Sequence, residues 1–570
     1  MTSWGPAVLE DDRRLFRLWA PDRERVTLDI EGGVGLGMTR DEDGWFVAET
    51  AAVAGARYRF RLDDGTAVPD PASRAQAEGV HGWSVVVDAD SYRWRTPDWR
   101  GRPWEEMVIQ EVHVGLLGGF AGVAGRLPEL VELGVTAIEL MPVNALAGDR
   151  NWGYDGVLPY APAKSYGGPD ELKALVDRAH ELGLSVFLDV VYNHFGPDGN
   201  YLGAYASGFF HAEVHTPWGG AVAVDKGPVH RFFVDNALMW LREYRFDGLR
   251  LDAVHAIAND DFLDAMAGEI REAIGPDRHV HLILENEGND SDRLSKDLYD
   301  AQWNDDFHNV MHVLLTGETN GYYTDFAERP AERLARCLAE GFIYQGEGSP
   351  NHDGRARGKP SGHLPPTAFV SFLQNHDQIG NRALGERLTL LADARKLRAA
   401  TALLLLSPQI PLLFMGDETG SRSPFLFFTD FHDELADAVR EGRRREFAGF
   451  AAFADPAARE RIPDPNARAT FDRSRPEPGP DADGWRSLYR QLLGLRHERV
   501  VPRLKGARSQ GAEVLGDAAV VARWRMGDGA LLTIAINLGD EAVAFPSPAP
   551  ADFSLEEPGA PGSVAVWIEV

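Results

Sequence analysis

The chain has 570 residues, 44% of them hydrophobic and 25% charged, with a formal net charge of −29 at pH 7. One hydrophobic core does not organise that length, so two to four domains are expected. The acidic balance argues against nucleic acid or an anionic membrane surface as partner, because both are held by basic patches. The single cysteine, Cys337, excludes an intrachain disulfide and a cysteine-built metal site. The first residues lack a basic run followed by an apolar core, and no apolar run is long enough to span a bilayer, so a cytoplasmic protein is expected.

In chain order, residues 1–95 read as short alternating strands broken by Gly, Asp and Pro, among them Leu15–Ala20, Val26–Ile30, Trp45–Ala48 and Tyr58–Leu62. This pattern predicts a small β-sandwich, read either as a sugar-binding module or as a packing module with no ligand. A Pro- and Trp-rich joint, Thr96–Trp104, opens a region of alternating strands and helices that runs to about residue 500. Strands are predicted at Met107–Val114, Ala137–Val143, Ser185–Val191, Gly248–Val254, Val280–Leu284, Ala368–Gln374 and Ile410–Phe414, with a weaker one near Ala301–Asp305. Helices are predicted ahead of Gly134 and at Asp170–Leu182, Val229–Tyr244 and Asp260–Ile274. Eight such β-α units close into a (β/α)8 TIM barrel whose sites lie at the C-terminal strand ends. Asp455–Asp483, rich in Pro, Asp and Arg, reads as a surface excursion, and Trp485–Arg499 as a last helix. Residues 501–570 read as a C-terminal all-β domain, with strands Ala519–Trp524, Ala530–Asn537 and Val564–Glu569.

The chemistry gathers where barrel strands end. The third strand runs into Asp189-Val-Val-Tyr-Asn-His194, the fourth carries Arg250, Asp252 and His255, the fifth ends Leu284-Glu-Asn-Glu-Gly-Asn289, and the seventh ends Gln374-Asn-His-Asp377. Strand alternation places Arg250 and Asp252 on one face. An inward ion pair alone is as readily structural as functional, but carboxylates after four strands of one barrel point to a site, since crowded like charges raise each other's pKa. Two chemistries use such a mouth: a metal centre of His and carboxylates, or glycoside hydrolysis with a nucleophile and an acid. No HExxH arrangement is present, the HxH at His279-Val280-His281 stands at the start of its strand and not at the carboxylate-bearing end, and flat rings in or beside the loops (Trp152, Tyr154, Tyr160, Tyr166, Tyr192, Trp218, Trp303) favour a sugar. Neither a metal nor a cofactor is expected, and Asn193 is read as bracing its loop rather than holding calcium.

The stretches Asp189–His194, Gly248–His255, Leu284–Asn286 and Phe372–Asp377 resemble, in order and spacing, the four signature regions of the α-amylase superfamily, glycoside hydrolase family thirteen. The resemblance covers nearly the whole chain. It implies that Asp252 is the nucleophile, Glu285 the general acid and base, and Asp377 the transition-state stabiliser. It implies that Arg250 orients Asp252, that His194 and His376 bind sugar hydroxyls, and that Tyr154 stacks on the ring. Asp189, His255, Asn375, Gln378 and Arg382 are further candidates for substrate binding.

Within that superfamily three stretches look like the maltooligosyl trehalose trehalohydrolases: Met141–Val143 with Asn151–Val157, Trp303-Asn-Asp-Asp-Phe-His308, and Gln374–Arg382. The loop holding Trp303, Asp305 and Asp306 is then the candidate for recognising a trehalose end, with ordinary helix capping as its plain alternative. The implied substrate is an α-glucan oligosaccharide ending in trehalose, made by a maltooligosyl trehalose synthase. The loop Asn286–Asn289, and Asp417 where Glu is more usual, depart from the common pattern and put outer subsites in doubt. A glycogen branching enzyme, a general α-glucan hydrolase and, distantly, a non-catalytic glucan-binding protein stay open as alternatives.

Overall fold

The computed structural model describes the chain except residues 1–3, 10–12, 217–218, 258, 296 and 547, so Trp218 lies outside the described residues. Eight parallel strands close the central barrel: β1 (Ile109–Val112), β2 (Ala137–Leu140), β3 (Ser185–Val190), β4 (Gly248–Leu251), β5 (His281–Leu284), β6 (Ala301–Trp303), β7 (Phe369–Ser371) and β8 (Ile410–Phe414). The ring closes where Ile109 pairs Leu412. The weak sixth strand is real but three residues long. It survives because Ala301 and Gln302 pair β5 while Gln302 and Trp303 pair β7.

Several strands are shorter than the apolar runs suggested. Hydrophobic residues continue past β4 and β7 to bury loop backbone, not to extend the ladder. β4 stops at Leu251, so Asp252 sits just beyond its last pair. The parity argument holds: Ile109, Ala137, Phe187, Ile283, Ala301, Trp303, Val370, Ile410 and Leu412 form one interior cluster, while Leu249 and Leu251 join the core between strands and helices. Gly248 belongs to the inward set. A Cβ there would lie 2.4 Å from the His281 carbonyl and 2.8 Å from the Phe187 ring, so only glycine lets the core close at this level.

The outer helices include α1 (Gly119–Leu133), α2 (Pro169–Glu181), α3 (Gly227–Arg242), α4 (Asp260–Ile274), α5 (Asp305–Thr316), α6 (Ala394–Leu406) and α7 (Ala482–Leu495). No described helix is long and apolar enough to cross a membrane. Before the barrel, two antiparallel sheets carry strands Arg13–Trp19 and Trp45–Ala51 in one, Val26–Ile30 and Arg57–Leu62 in the other. After it, five antiparallel strands from Arg508 to Glu569 form one sheet. The segment 455–483 corrects the expectation of a surface excursion. Most of its charged residues face solvent, but Ile462, Thr470 and Ser474 are buried and Phe471 packs against Phe428, with ring centroids 5.1 Å apart, so it is a partly packed cover for the β1 and β8 loops.

Candidate active site

Arg250 is fully buried inside the barrel and is the hub of the site. Its Nη1 donates to Asp189 at 2.6 Å and to Asp252 at 3.0 Å. Its Nη2 lies 2.9 Å from Glu285. The guanidinium rests on the Trp303 ring, 4.0 Å from its centroid. Three carboxylates around one cation, with an aromatic face below, hold every member in a single arrangement.

The turn after β4 completes the frame. Ala253 has φ 42° and ψ 49°, a left-handed conformation that a residue with a Cβ adopts at a cost. This turn aims the Ala253 N–H at Glu285, 2.7 Å away. The Val254 N–H meets the Glu285 carbonyl at 3.0 Å. Asn193 donates to both the carbonyl and the carboxylate of Asp252, at 2.8 and 2.9 Å, which gives it a bracing role on the nucleophile candidate itself. Among the described residues no group of three or more His, Cys, Asp and Glu is placed to hold a metal ion.

The third carboxylate candidate, Asp377, opens the short helix His376–Gly380 after β7, capped by Asn375, whose side chain accepts from the Gln378 N–H. His376 lies between two acids: it bonds Glu111 through Nδ1, and its Nε2 is 3.4 Å from Asp377. Burial opposes protonation of this imidazole, but Asp377 and Glu111 outweigh it and raise His376 to about 10. Burial also raises Asp377; His376 opposes that rise, and the charge of Glu285 adds to it. Tyr154 stacks on the His376 ring at 5.0 Å and donates to Asp189 at 2.5 Å.

A cavity of about 260 Å³ opens at this C-terminal mouth, lined by Glu285, Asp377, Asp305, Gln378 and His255 among others. Asp252, 9% exposed, is not among its lining residues and is joined to the lining Glu285 through Arg250, which pairs with both. The remaining predicted residues are placed differently. Asp189 is buried and reaches the site through Arg250 and the Tyr154 hydroxyl, and burial pushes its carboxyl up to about 7 against the pull of Arg250. Asp306 faces inward: it accepts from the Asn289 amide at 3.0 Å and the Ile343 N–H at 2.7 Å, and pairs Arg357 at 3.1 Å. Arg382 forms a two-pronged pair with Glu318 at 2.6 and 3.0 Å. Trp303 lies under Arg250, and both ring nitrogens of His194 bond protein atoms, Asn193 and the Tyr154 carbonyl. These five are supports rather than cavity-wall groups, because each polar head is taken by a protein partner or, for Trp303, buried. Of the loop aromatics, Trp152, Tyr160, Tyr166 and Tyr192 are core.

The sequence reading missed one wall. The stretch between β6 and β7 contributes Tyr322, Asp325, Asn351 and His352 to the cavity. Ser349 ties it together, donating to Asp325 at 2.5 Å and meeting His352 at 2.8 Å. The only signal was a polar and aromatic cluster in an irregular loop, which periodicity does not read. Of the two departures from the family pattern, Glu287 does line the cavity. Asp417 does not. It takes Gln374 at 2.6 Å and the Phe414 N–H at 3.0 Å, joining the β7 and β8 loops.

Asp305 carries a testable electrostatic signature. Withdrawal from water, together with the charges of Glu285 and Asp377, raises its carboxyl to about 8. The folded protein therefore holds a proton that the unfolded chain releases near its ordinary pKa of about 4, so this group's ionisation lowers stability as pH rises from about 4 towards 8. Asp305→Asn removes that ionisation. Thermal melts are expected to show its advantage over the parent growing from pH 5 to pH 8; parallel curves would refute the assignment.

Comparison with known proteins agrees with this geometry. Residues 67–208 match the model of the alpha amylase catalytic domain, and residues 507–566 match a domain of unknown function, DUF3459. The chain is 44% identical to a malto-oligosyltrehalose trehalohydrolase of Deinococcus radiodurans, covering 85% of this chain and 81% of that protein. It is 41% identical to one from Saccharolobus solfataricus, covering 86% of each. A 1.4 Å crystal structure of a Salmonella typhimurium protein superposes with TM-score 0.95 at 44% identity, over 100% of both chains. With a barrel of eight parallel strands, carboxylates at its mouth and relatives of this identity along most of their length, the chain belongs to the malto-oligosyltrehalose trehalohydrolase family of α-amylase-type enzymes.

Proposed function

We propose that the chain is a retaining glycoside hydrolase that cuts the α-1,4-glucosidic bond next to the terminal trehalose of a maltooligosyl trehalose and releases trehalose. The observation that carries the reading is Arg250 holding Asp252 and Glu285 with its two terminal nitrogens, at 3.0 and 2.9 Å. A retaining double displacement uses carboxyls about 5 Å apart, and one guanidinium keeps both within reach of a single sugar ring. Asp252 attacks the anomeric carbon while Glu285 gives its proton to the departing trehalose oxygen. Water then loses a proton to Glu285, attacks the same carbon and frees Asp252. Asp377, beside the His376 imidazolium, takes hydroxyls of the distorted ring. Asp305, Gln378 and His255 face the substrate from the wall. The working units are residues 1–95, 96–500 and 501–570, the setting is the cytoplasm, and the substrate comes from a maltooligosyl trehalose synthase acting before it.

Two substrates of equal length test this: maltopentaose and maltotriosyl trehalose, with products separated by chromatography. Trehalose and maltotriose are expected from the second, with little cutting of the first. Rapid cutting of maltopentaose without trehalose release would make it a general glucan hydrolase. New α-1,6 branches on amylose would make it a transferase.

A further inference from the structure

A second cavity, of about 1230 Å³, lies at the opposite end of the barrel, between the N-terminal ends of β1, β5, β6 and β7 and residues 497–508. Its charge is inverted relative to the chain. The whole sequence has 87 acidic and 58 Lys and Arg residues, yet this wall has five Lys and Arg against three carboxylates, Glu105, Glu106 and Asp300. Two of those acids are taken: Glu106 pairs Arg102 at 2.9 Å and Asp300 pairs Arg271 at 2.6 Å. Lys505 and Arg508 are exposed and have no ion pair among the described residues, Arg508 donating only to the adjacent Ala507 carbonyl at 2.9 Å. Arg278 donates to the Leu241 and Phe246 carbonyls at 2.6 and 2.8 Å, and its one carboxylate neighbour, Asp247, is 3.8 Å away and already held by His180 at 2.9 Å. Burial pulls the Arg278 guanidinium below its usual range, and Asp247 only partly restores it. Lys505 and Arg508, which no carboxylate neutralises, concentrate positive potential at the cleft.

We propose that this basic cleft binds a phosphorylated small metabolite, its phosphoryl oxygens taken by Lys505 and Arg508. Phosphate oxygens suit forked and point-like cationic donors. The space far exceeds one inorganic phosphate, so the phosphoryl group is expected to carry an organic body. A polyanionic macromolecule is disfavoured by the net charge of −29. A neutral glucan lacks a platform: Trp104 is 8% exposed and its indole N–H is tied to the Thr367 carbonyl at 2.7 Å.

Calorimetric titration of the full chain with glucose 6-phosphate, adenosine triphosphate and inorganic phosphate tests this. At least one ester is expected to bind more tightly than inorganic phosphate, and which ester wins separates a sugar phosphate from a nucleotide. Affinity is expected to fall when KCl rises from about 50 to about 300 mM. It is expected to fall at least about tenfold in the double variant Lys505→Ser, Arg508→Ser, whose exposed positions leave the melting temperature unchanged. Saturating maltotetraose is expected to leave binding intact, since the catalytic mouth is at the other end. No binding of any probe, equal affinity for inorganic phosphate and the esters, unchanged affinity in the double variant, or competition by maltotetraose would each overturn the proposal.

Discussion

Asp252→Ala is expected to reduce kcat by at least about 10⁴-fold, the scale on which a covalent nucleophile acts together with its partners. Fold and stability should change little by comparison, because Asp252 stands beyond the last pair of β4 and its neighbours have other bonds. Arg250 keeps Asp189 and Glu285. Azide supplies the decisive readout. In a cavity made by removing the nucleophile's carboxylate, azide can attack the anomeric carbon from the vacated side while Glu285 still protonates the leaving group. The product would be a β-glucosyl azide, of inverted configuration. Recovery of turnover with that product places the nucleophile at Asp252. Turnover near the parent rate without azide would remove Asp252 from the role.

Arg250→Met is expected to be the most damaging substitution for stability and activity together. The cation is fully buried, and Asp189 and Asp252 bond it directly while Glu285 pairs with it at 2.9 Å. Removing one partner of a buried charge network leaves the others uncompensated, which costs about 3–5 kcal/mol. Arg250→Lys is expected to recover part of the stability but little of the activity. An ammonium is a point charge, and it does not hold two carboxylates with separate nitrogens while lying flat on Trp303. Denaturant unfolding and kcat measured on both variants check this. A lysine variant with parental kcat would mean that charge alone, and not the forked geometry, organises the site.

The site was legible in the sequence to the extent that it sits on regular structure. Parity along β4 put Arg250 inward and Leu249 and Leu251 outward, and strand ends marked Asp189, Glu285 and Asp377. Local pattern did not reveal which carboxylates meet. Asp305 and Asp306 are adjacent and chemically alike, yet Asp305 faces the cavity while Asp306 is wholly enclosed and fastens the backbone at Ile343 and Tyr344. They lie in the first turn of α5, where successive residues point about 100° apart, so one reaches the mouth and the other the packed side. Arg382 was read as a substrate contact from its motif, and Glu318, 64 residues away in sequence, claims it.

What the sequence determined by itself was the alternation of strand and helix, the closed barrel that this implies, and the residue types gathered at the strand ends, because these follow from local periodicity and from the direction of parallel strands. Only the tertiary structure decided that one buried guanidinium binds three carboxylates, that the stretch between β6 and β7 supplies a wall of the catalytic cavity, and that unpaired cations collect at the far end of an acidic molecule. Such juxtapositions join residues tens to hundreds apart in the chain. Their energies depend on burial and distance, and neither exists until the barrel has closed.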